Sequence, residues 1–185
     1  MHMSQKGLFI LSHDNEDLEA LGTRALLVRA GFDMTAGTFE DTLDLKLAHG
    51  TKVKADARIQ ELDTDAYDFI VIPGGKYVKN TVDDDQDIKA ISRRFYDQGK
   101  LVAAICAGPR FLGQAGILEN RSYTAFTGAE IDMPNATLKR DEKALRDGNI
   151  ITGRGAGAVY EFAYEIVRYF KGDEAADKLL NTILY

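Results

Sequence analysis

The sequence predicts an α/β protein built on a doubly wound parallel sheet, with a small hairpin excursion. Three observations favour this fold. Five short runs rich in apolar and β-branched residues have the length of buried parallel strands, amphipathic helical patterns alternate with them, and most runs end where small or polar residues begin a loop. Because parallel strands need crossover connections, this alternation is typical of a sheet covered by helices on both faces.

The predicted elements alternate along the whole chain. We expect strands over 7–11, 32–39, 68–72, 101–105 and 149–152, and helices over 16–30, 85–98, 109–114, 158–170 and 173–184. Residues 42–55, with Gly50 at a turn, are predicted to form the hairpin, and 123–139 is the least regular stretch. In such sheets ligands bind beyond the carboxyl ends of the strands, which selects the loops 12–15, 73–77, 106–110, 126–128 and 153–157.

The first predicted helix carries a regular apolar stripe. Leu18, Leu21, Ala25 and Val28 recur at helical spacing, and we expect this face to pack inward. Arg29 projects from near the middle of the stripe, where an unpaired charge would be costly. A carboxylate or a partner chain must then meet Arg29, and we expect a homodimer.

Size, composition and charge restrict the class of protein. A chain of 185 residues fits one domain, expected over residues 4–185, and residues 1–3 have the look of a cloning remnant within a disordered start at 1–6. A net charge of −6 without a dense basic stripe disfavours nucleic acid as a partner. No apolar run reaches membrane-spanning length and no secretory signal is evident, so we expect a cytoplasmic protein without membrane contact.

Cys106 is the strongest candidate for chemistry. It is the only cysteine, which excludes an intrachain disulfide, and a lone cysteine is most often a small buried apolar residue. Here, however, it joins a predicted strand to a predicted helix, with the small residues Ala104, Ala107 and Gly108 around it, as a nucleophile elbow requires. The positive end of the helix favours thiolate, so we expect a pKa lowered from about 8.5 into the range of about 3.5–7.5.

Other candidate groups lie near this turn. Gly74 and Gly75 follow a strand, and their N–H groups could join that of Ala107 in an oxyanion hole, although a plain tight turn gives the same pattern. Glu19 lies at the edge of the apolar face of the first helix and is either a surface glutamate or a hydrogen-bond partner of the cysteine. His13 follows the first strand and is either a distant base or a solvated loop residue.

We expect neither a metal nor a cofactor. His13 and His49 lie in separate loops and do not have metal-binding spacing. Residues 153–158 superficially fit a dinucleotide fingerprint, but no acidic residue ends a further strand about 20 residues later. Close packing of a helix on a strand is the better interpretation, and the expected partner is a small molecule.

The sequence Ala-Ala-Ile-Cys-Ala-Gly-Pro at 103–109, the sequence Ile-Pro-Gly-Gly at 72–75 and Glu19 together resemble the ThiJ/PfpI superfamily. The most similar branch is that of the Parkinson-disease protein deglycase and its bacterial relatives, and the resemblance covers about residues 7–170. It implies a flavodoxin-like sandwich, usually a homodimer, with Cys106 as the oxidation-sensitive nucleophile and Glu19 as its hydrogen-bond partner. It also implies that the amides of Gly75 and Ala107 contact oxyanions.

The chain departs from the superfamily at two positions. The protease-like branch has a histidine directly after the cysteine, where this chain has Ala107, and this difference argues against a Cys-His protease. The deglycase branch usually supplies a histidine near the cysteine, where this chain has Phe126. Loss of that imidazole weakens general-base catalysis near the sulfur.

The resemblance therefore leaves two functions open. As an enzyme of the glyoxalase or deglycase type, the protein would take a small carbonyl substrate: Cys106 would add to an α-oxoaldehyde or a glycated adduct as a hemithioacetal, and Glu19 would shuttle protons. As a sensor of oxidative stress or a redox-regulated chaperone, it would react with an oxidant, and Glu19 would hold the sulfinate of Cys106.

Overall fold

The computed structural model describes residues 4–185, and a seven-stranded sheet forms its centre. The strands of the described residues, including those of two small two-stranded sheets, are β1 (Lys6–Ile10), β2 (Asp33–Thr38), β3 (Asp44–Lys46), β4 (Lys52–Lys54), β5 (Ala57–Arg58), β6 (Phe69–Ile72), β7 (Leu101–Ile105), β8 (Ser122–Tyr123), β9 (Thr137–Leu138), β10 (Ala144–Asp147) and β11 (Ile150–Gly153). The order in the central sheet is β10-β11-β7-β6-β1-β2-β5. All neighbours in it are parallel except β10 and β11.

The predicted fold class is confirmed, with one correction at the edge of the sheet. The sheet is mixed, because β10 pairs antiparallel with β11 through a tight turn at Gly148, whose φ is 62°. A short turn can join only antiparallel neighbours, whereas a parallel pair needs a long crossover. The alternation of strands and helices could not reveal β10, since no helix separates it from β11.

Helices cover both faces of the sheet. A π-helical turn, Leu18–Gly22, runs directly into α1 (Thr23–Arg29), followed by α2 (Lys76–Thr81), α3 (Gln86–Asp97), α4 (Pro109–Gln114), α5 (Val159–Lys171) and α6 (Asp173–Thr182). Successive side chains of β1 point to opposite faces: Phe9 packs with residues of α1, α5 and α6, whereas Leu8 and Ile10 pack with residues of α2, α3 and α4. These two apolar layers hold the sheet as the rigid base of the site.

The predicted hairpin is confirmed, and one short helix is an addition. Strands β3 and β4 pair antiparallel within the predicted segment 42–55. Helix α2 begins inside the predicted loop 73–77, and Val78 and Val82 behind it are buried. Six helical residues are too few to show a helical period in a sequence.

The predicted inward face of the first helix is wrong. Leu18, Leu21 and Val28 are 48%, 41% and 46% exposed, whereas Leu26 and Leu27 are buried. Both sides of this helix are apolar, and the π-helical turn alters the phase that a regular spacing assumes, so periodicity could not identify the packed side. Arg29 is likewise exposed rather than held in an apolar stripe, so the argument for a dimer from its buried charge fails.

The expectation for residues 1–3 lies outside the described residues. Lys6 already belongs to β1, and the Ser4 hydroxyl donates to the Gly31 carbonyl at 2.6 Å, so ordered structure begins within the segment 1–6. In the part of the chain that the structure describes, no helix is long and apolar enough to cross a membrane.

Candidate active site

Cys106 lies on a strained turn at the carboxyl end of β7. Its φ is 64°, a left-handed value that is unfavourable for a residue with a Cβ, and its N–H donates to the Gly153 carbonyl at 2.9 Å. The chain then turns into α4, and a Cβ at Gly108 would lie 2.7 Å from the Ile72 carbonyl oxygen, so only glycine fits there. The predicted strand-turn-helix geometry around the cysteine is present.

Glu19 is completely buried beneath this turn. Its Oε1 accepts a hydrogen bond from the Gly74 N–H at 2.9 Å. Its Oε2 is buried without an N–H or O–H donor among residues 4–185. The Cys106 side chain lies beside this carboxyl, since a Cβ built on Gly74 would be 2.8 Å from both the Cys106 Cβ and the Glu19 Oε1. The sequence allowed Glu19 to be either a surface glutamate or a partner of the cysteine. Its complete burial beside Cys106 excludes the surface position.

Gly74 is the point on which the groups of the site converge. A Cβ built on Gly74 would lie 2.8 Å from each of three atoms, the Cys106 Cβ, the Glu19 Oε1 and the Ala107 nitrogen. Because the Gly74 N–H is bonded to Glu19, it is not free to hold an oxyanion, and the prediction for Gly74 is wrong in this respect. Its role is to let the carboxyl and the sulfur approach each other.

The loop between β1 and the first helix supports the glycine pair. The Asn15 side-chain amide donates to the Gly74 carbonyl at 3.1 Å, and the Glu16 N–H reaches the same oxygen at 3.2 Å. Gly75 has a φ of 101°, and a Cβ there would lie 2.3 Å from the Glu16 nitrogen. The backbone of Gly75 is thus fixed by contacts that a larger residue would break.

Burial controls the protonation of the two central groups. It raises the pKa of Glu19 to about 7, against the lowering effects of the Cys106 thiol and the Gly74 N–H, while Glu16 adds to the increase. Burial also raises the pKa of Cys106, and the Glu19 carboxylate raises it further, whereas the Ala107 N–H lowers it. This direction is opposite to the lowering expected from the positive helix end, because removing the sulfur from water and placing a carboxylate beside it both disfavour the thiolate.

A cleft of about 640 Å³ opens above Cys106 and Glu19. Gly75, Ala107 and Phe126 line it, as expected from their loops, and the Phe126 side chain is 58% exposed. The N–H of Phe126 donates to the Cys106 carbonyl at 2.8 Å, and Phe126 lines the cleft at the position where the resemblance suggested a histidine.

Two of the predicted secondary residues lie elsewhere. His13 does not line the cleft, and its Nδ1 accepts a hydrogen bond from the Lys46 N–H at 3.1 Å, which ties the loop after β1 to the hairpin. Arg29 lies at the far end of α1 and does not line the cleft either. Within residues 4–185, no group of three His, Cys, Asp or Glu side chains is arranged to hold a metal ion.

The structure adds Glu16, His49 and Lys79 to the cleft, which sequence analysis missed. Lys76 and Arg110, which belong to the predicted loops 73–77 and 106–110, also line it. His49 comes from the turn of the hairpin, and its Nε2 lies 3.6 Å from Glu16 Oε1. No local signal could place His49 there, because the hairpin meets the site only through tertiary packing. Lys76, in contrast, directly follows the glycine pair and falls within the loop 73–77 that the sequence selected.

Comparison with known proteins shows the family of this chain. Residues 5–169 match the DJ-1/PfpI family. The chain belongs to the DJ-1/PfpI family. Deglycase PfpI from Pyrococcus furiosus is 32% identical over 167 residues, which cover 90% of this chain and 99% of that protein. Protein dj-1beta from Drosophila melanogaster is 29% identical over 183 residues, or 98% of each chain.

Solved structures of family members share the fold over nearly the whole chain. The crystal structure of Drosophila melanogaster DJ-1beta superposes with a TM-score of 0.91 at 28% identity and covers 98% of both chains. Oxidized Toxoplasma gondii DJ-1 superposes with a TM-score of 0.89 at 29% identity, covering 98% of this chain and 99% of that one. The flavodoxin-like α/β fold expected from the resemblance is thereby confirmed.

Proposed function

We propose that this DJ-1/PfpI protein is a cofactor-independent enzyme of the glyoxalase or deglycase type, with Cys106 as nucleophile and Glu19 as proton shuttle. One observation carries the proposal: a buried carboxyl, with one oxygen that lacks an N–H or O–H donor among residues 4–185, meets a cysteine on a strained turn beside Gly74 at the base of a cleft. Relatives named deglycases, including that of Pyrococcus furiosus, support the same class of reaction.

The reaction begins with addition of the thiol to the aldehyde carbon of an α-oxoaldehyde. The sulfur–carbon bond forms while the thiol proton passes to Glu19, which then protonates the carbonyl oxygen and leaves a hemithioacetal. Because the pKa of Cys106 is raised and that of Glu19 is about 7, ionised Glu19 acts as the base during attack rather than beside a resting thiolate. The N–H groups of Gly75 and Ala107, which line the cleft, stabilise the developing oxyanion.

Glu19 then moves a proton between the two substrate carbons. Ionised Glu19 removes the hydrogen on the carbon bonded to sulfur, and the resulting enediol is protonated at the neighbouring carbon to give a 2-hydroxy thioester of Cys106. Water hydrolyses this thioester, releases the 2-hydroxy acid and restores the thiol. The net reaction converts an α-oxoaldehyde and one water into a 2-hydroxy acid. The aldehyde carbon is oxidised while the neighbouring carbon is reduced, so no external oxidant or reductant is consumed.

A sensor of oxidative stress is the second candidate function, and Phe126 favours it. Phe126 lines the same cleft as Cys106 and supplies no base, which would slow turnover but leave the sulfur open to a peroxide. Two equivalents of peroxide would convert the thiol to a sulfinate and release two waters, and protonated Glu19 would donate a hydrogen bond to it. The related Toxoplasma gondii DJ-1 has been crystallised in an oxidized form.

The proposed functional unit is a homodimer formed through the outward side of the first helix. Leu18, Leu21 and Val28 are each more than 40% exposed and recur on one side of it. A second copy of the chain would bury these side chains symmetrically, as a twofold interface requires.

Conversion of methylglyoxal to lactate tests the enzyme against the sensor. We expect steady turnover by the native protein, loss of turnover in Cys106→Ala, and a collapse in Glu19→Gln, which keeps a hydrogen-bond donor but cannot shuttle protons. Titration with peroxide and measurement of the intact mass follow oxidation of the single cysteine in the same samples. Absence of turnover together with a stable two-oxygen mass increase would refute the enzyme and favour the sensor. Absence of both turnover and stable oxidation would refute both functions.

A further inference from the structure

The charged groups of the cleft are of two kinds, those with partners and those without. Glu16 Oε2 accepts the Glu19 N–H at 2.7 Å, its Oε1 faces His49, and Arg110 forms an ion pair with Asp132. Lys76 and Lys79 are exposed and form no salt bridge with any carboxylate in residues 4–185. The negative charge of Glu16 is therefore engaged, whereas two positive charges remain available.

The positions of the two lysines favour binding over a purely structural role. They are three residues apart on α2, so their side chains leave the same side of the helix, and both line the cleft above Cys106. Lys76 is the first residue of α2, where the helix dipole favours acidic rather than basic groups. A pair of free cations at this place also contrasts with the chain as a whole, whose net charge is −6.

We propose that Lys76 and Lys79 select substrates that carry an anionic group, a carboxylate or a phosphate, beside the carbonyl that reacts with Cys106. The lysines hold the anion at the mouth of the cleft while the carbonyl carbon reaches the sulfur. The catalytic consequence rests on the proposed function, but the preference for anions in the cleft does not require turnover. The preferred substrate is thus an anionic α-oxoaldehyde, which the enzyme should convert faster than a neutral one such as methylglyoxal.

Alkylation of Cys106 measures this preference without any catalysis. Iodoacetate and iodoacetamide each form one carbon–sulfur bond with Cys106 and release iodide, while the thiol proton passes to the buffer. The two reagents differ in that one carries a carboxylate and the other a neutral amide. Because Cys106 is the only cysteine, the increase in intact mass reports on this site alone. The ratio of the two rates cancels the accessibility and ionisation of the thiol and leaves the effect of the anion.

The two lysines should raise the rate ratio of iodoacetate to iodoacetamide above that of a free thiol in the same buffer. Each of Lys76→Gln and Lys79→Gln should lower it by about fivefold, and salt should lower it in the native protein. Lys52→Gln, an exposed lysine of β4 outside the cleft, is the matched control. A native ratio equal to that of the free thiol, or a decrease no larger than in the control, would overturn the proposal.

Turnover and protection provide the second readout. The enzyme should prefer 4,5-dioxopentanoate to its methyl ester, and the Lys76→Gln/Lys79→Gln protein should lose that preference. Inorganic phosphate and glycolate, tested separately as blockers of iodoacetamide, distinguish a phosphate from a carboxylate site; protection by neither would overturn the proposal. If no oxoaldehyde is converted but the alkylation ratio behaves as expected, the proposed reaction fails and the anion site stands. If the ester is converted as fast as the acid and the iodoacetate-to-iodoacetamide rate ratio equals that of a free thiol, the proposed reaction stands and the anion site fails.

Discussion

The burial of Glu19 predicts how stability depends on pH. Its pKa rises from 4.5 to about 7 because the carboxyl is removed from water, a difference of about 2.5 units. At about 1.36 kcal/mol per unit, ionised Glu19 destabilises the folded protein by about 3 kcal/mol. Below pH 4.5 the carboxyl is protonated in both states and this penalty vanishes. Between pH 4.5 and 7 the folded state binds the extra proton, so its stability falls as the pH rises.

Glu19→Gln should remove this dependence. The glutamine is neutral, has nearly the same shape, and its carbonyl oxygen can still accept the Gly74 N–H. The quantity to follow is the free energy of unfolding of the variant minus that of the native protein. This difference should grow from pH 4.5 to 7 and level off above pH 7, at about 3 kcal/mol more than at low pH. The gain is measured by urea unfolding at a series of pH values.

The control for this experiment is Glu174→Gln, which removes a negative charge from an exposed position on α6 and should change stability by no more than about 0.5 kcal/mol. A difference between Glu19→Gln and the native protein that stays constant from pH 4.5 to 8 would refute the reasoning, since it would mean that Glu19 ionises alike in the folded and unfolded chain.

Three further predictions concern the site and the first helix. Gly74→Ala should lower the free energy of unfolding by about 1–3 kcal/mol and abolish turnover, because its Cβ meets three atoms at 2.8 Å, whereas Gly157→Ala has open space and should be neutral in urea unfolding. Phe126→His should raise kcat/KM for the oxoaldehyde by at least about tenfold by supplying a base beside Cys106; an equal rise in Phe126→Leu would contradict this explanation. Leu21→Lys should shift the mass measured by light scattering to that of a monomer, and Leu184→Lys, 94% exposed on the tail after α6, should not; a dimer that survives Leu21→Lys argues against the interface on the first helix.

Features that depend on local order along the chain can be predicted from the amino-acid sequence. Apolar runs of strand length located β1, β2, β6, β7 and β11, since a buried parallel strand must be apolar on both faces. The small residues around Cys106 indicated its turn, because a cysteine at a φ of 64° needs neighbours without bulk. The glycine pair, which must pass close to another backbone segment, was found for the same reason.

Long-range packing, in contrast, sets which side of a helix is buried and which side chains meet in the site. Glu19 could be a surface residue or a partner of the sulfur, and its burial depends on Gly74, which lies 55 residues away along the chain. The raised pKa of Cys106 follows from that meeting, because loss of water and a nearby carboxylate are properties of the packed environment rather than of the turn. His49 reached the cleft through the fold of the hairpin, and the outward side of the first helix was set by what packs against its other side. The periodicity of a sequence indicates how apolar each face of a helix is, but long-range packing determines whether that face is buried.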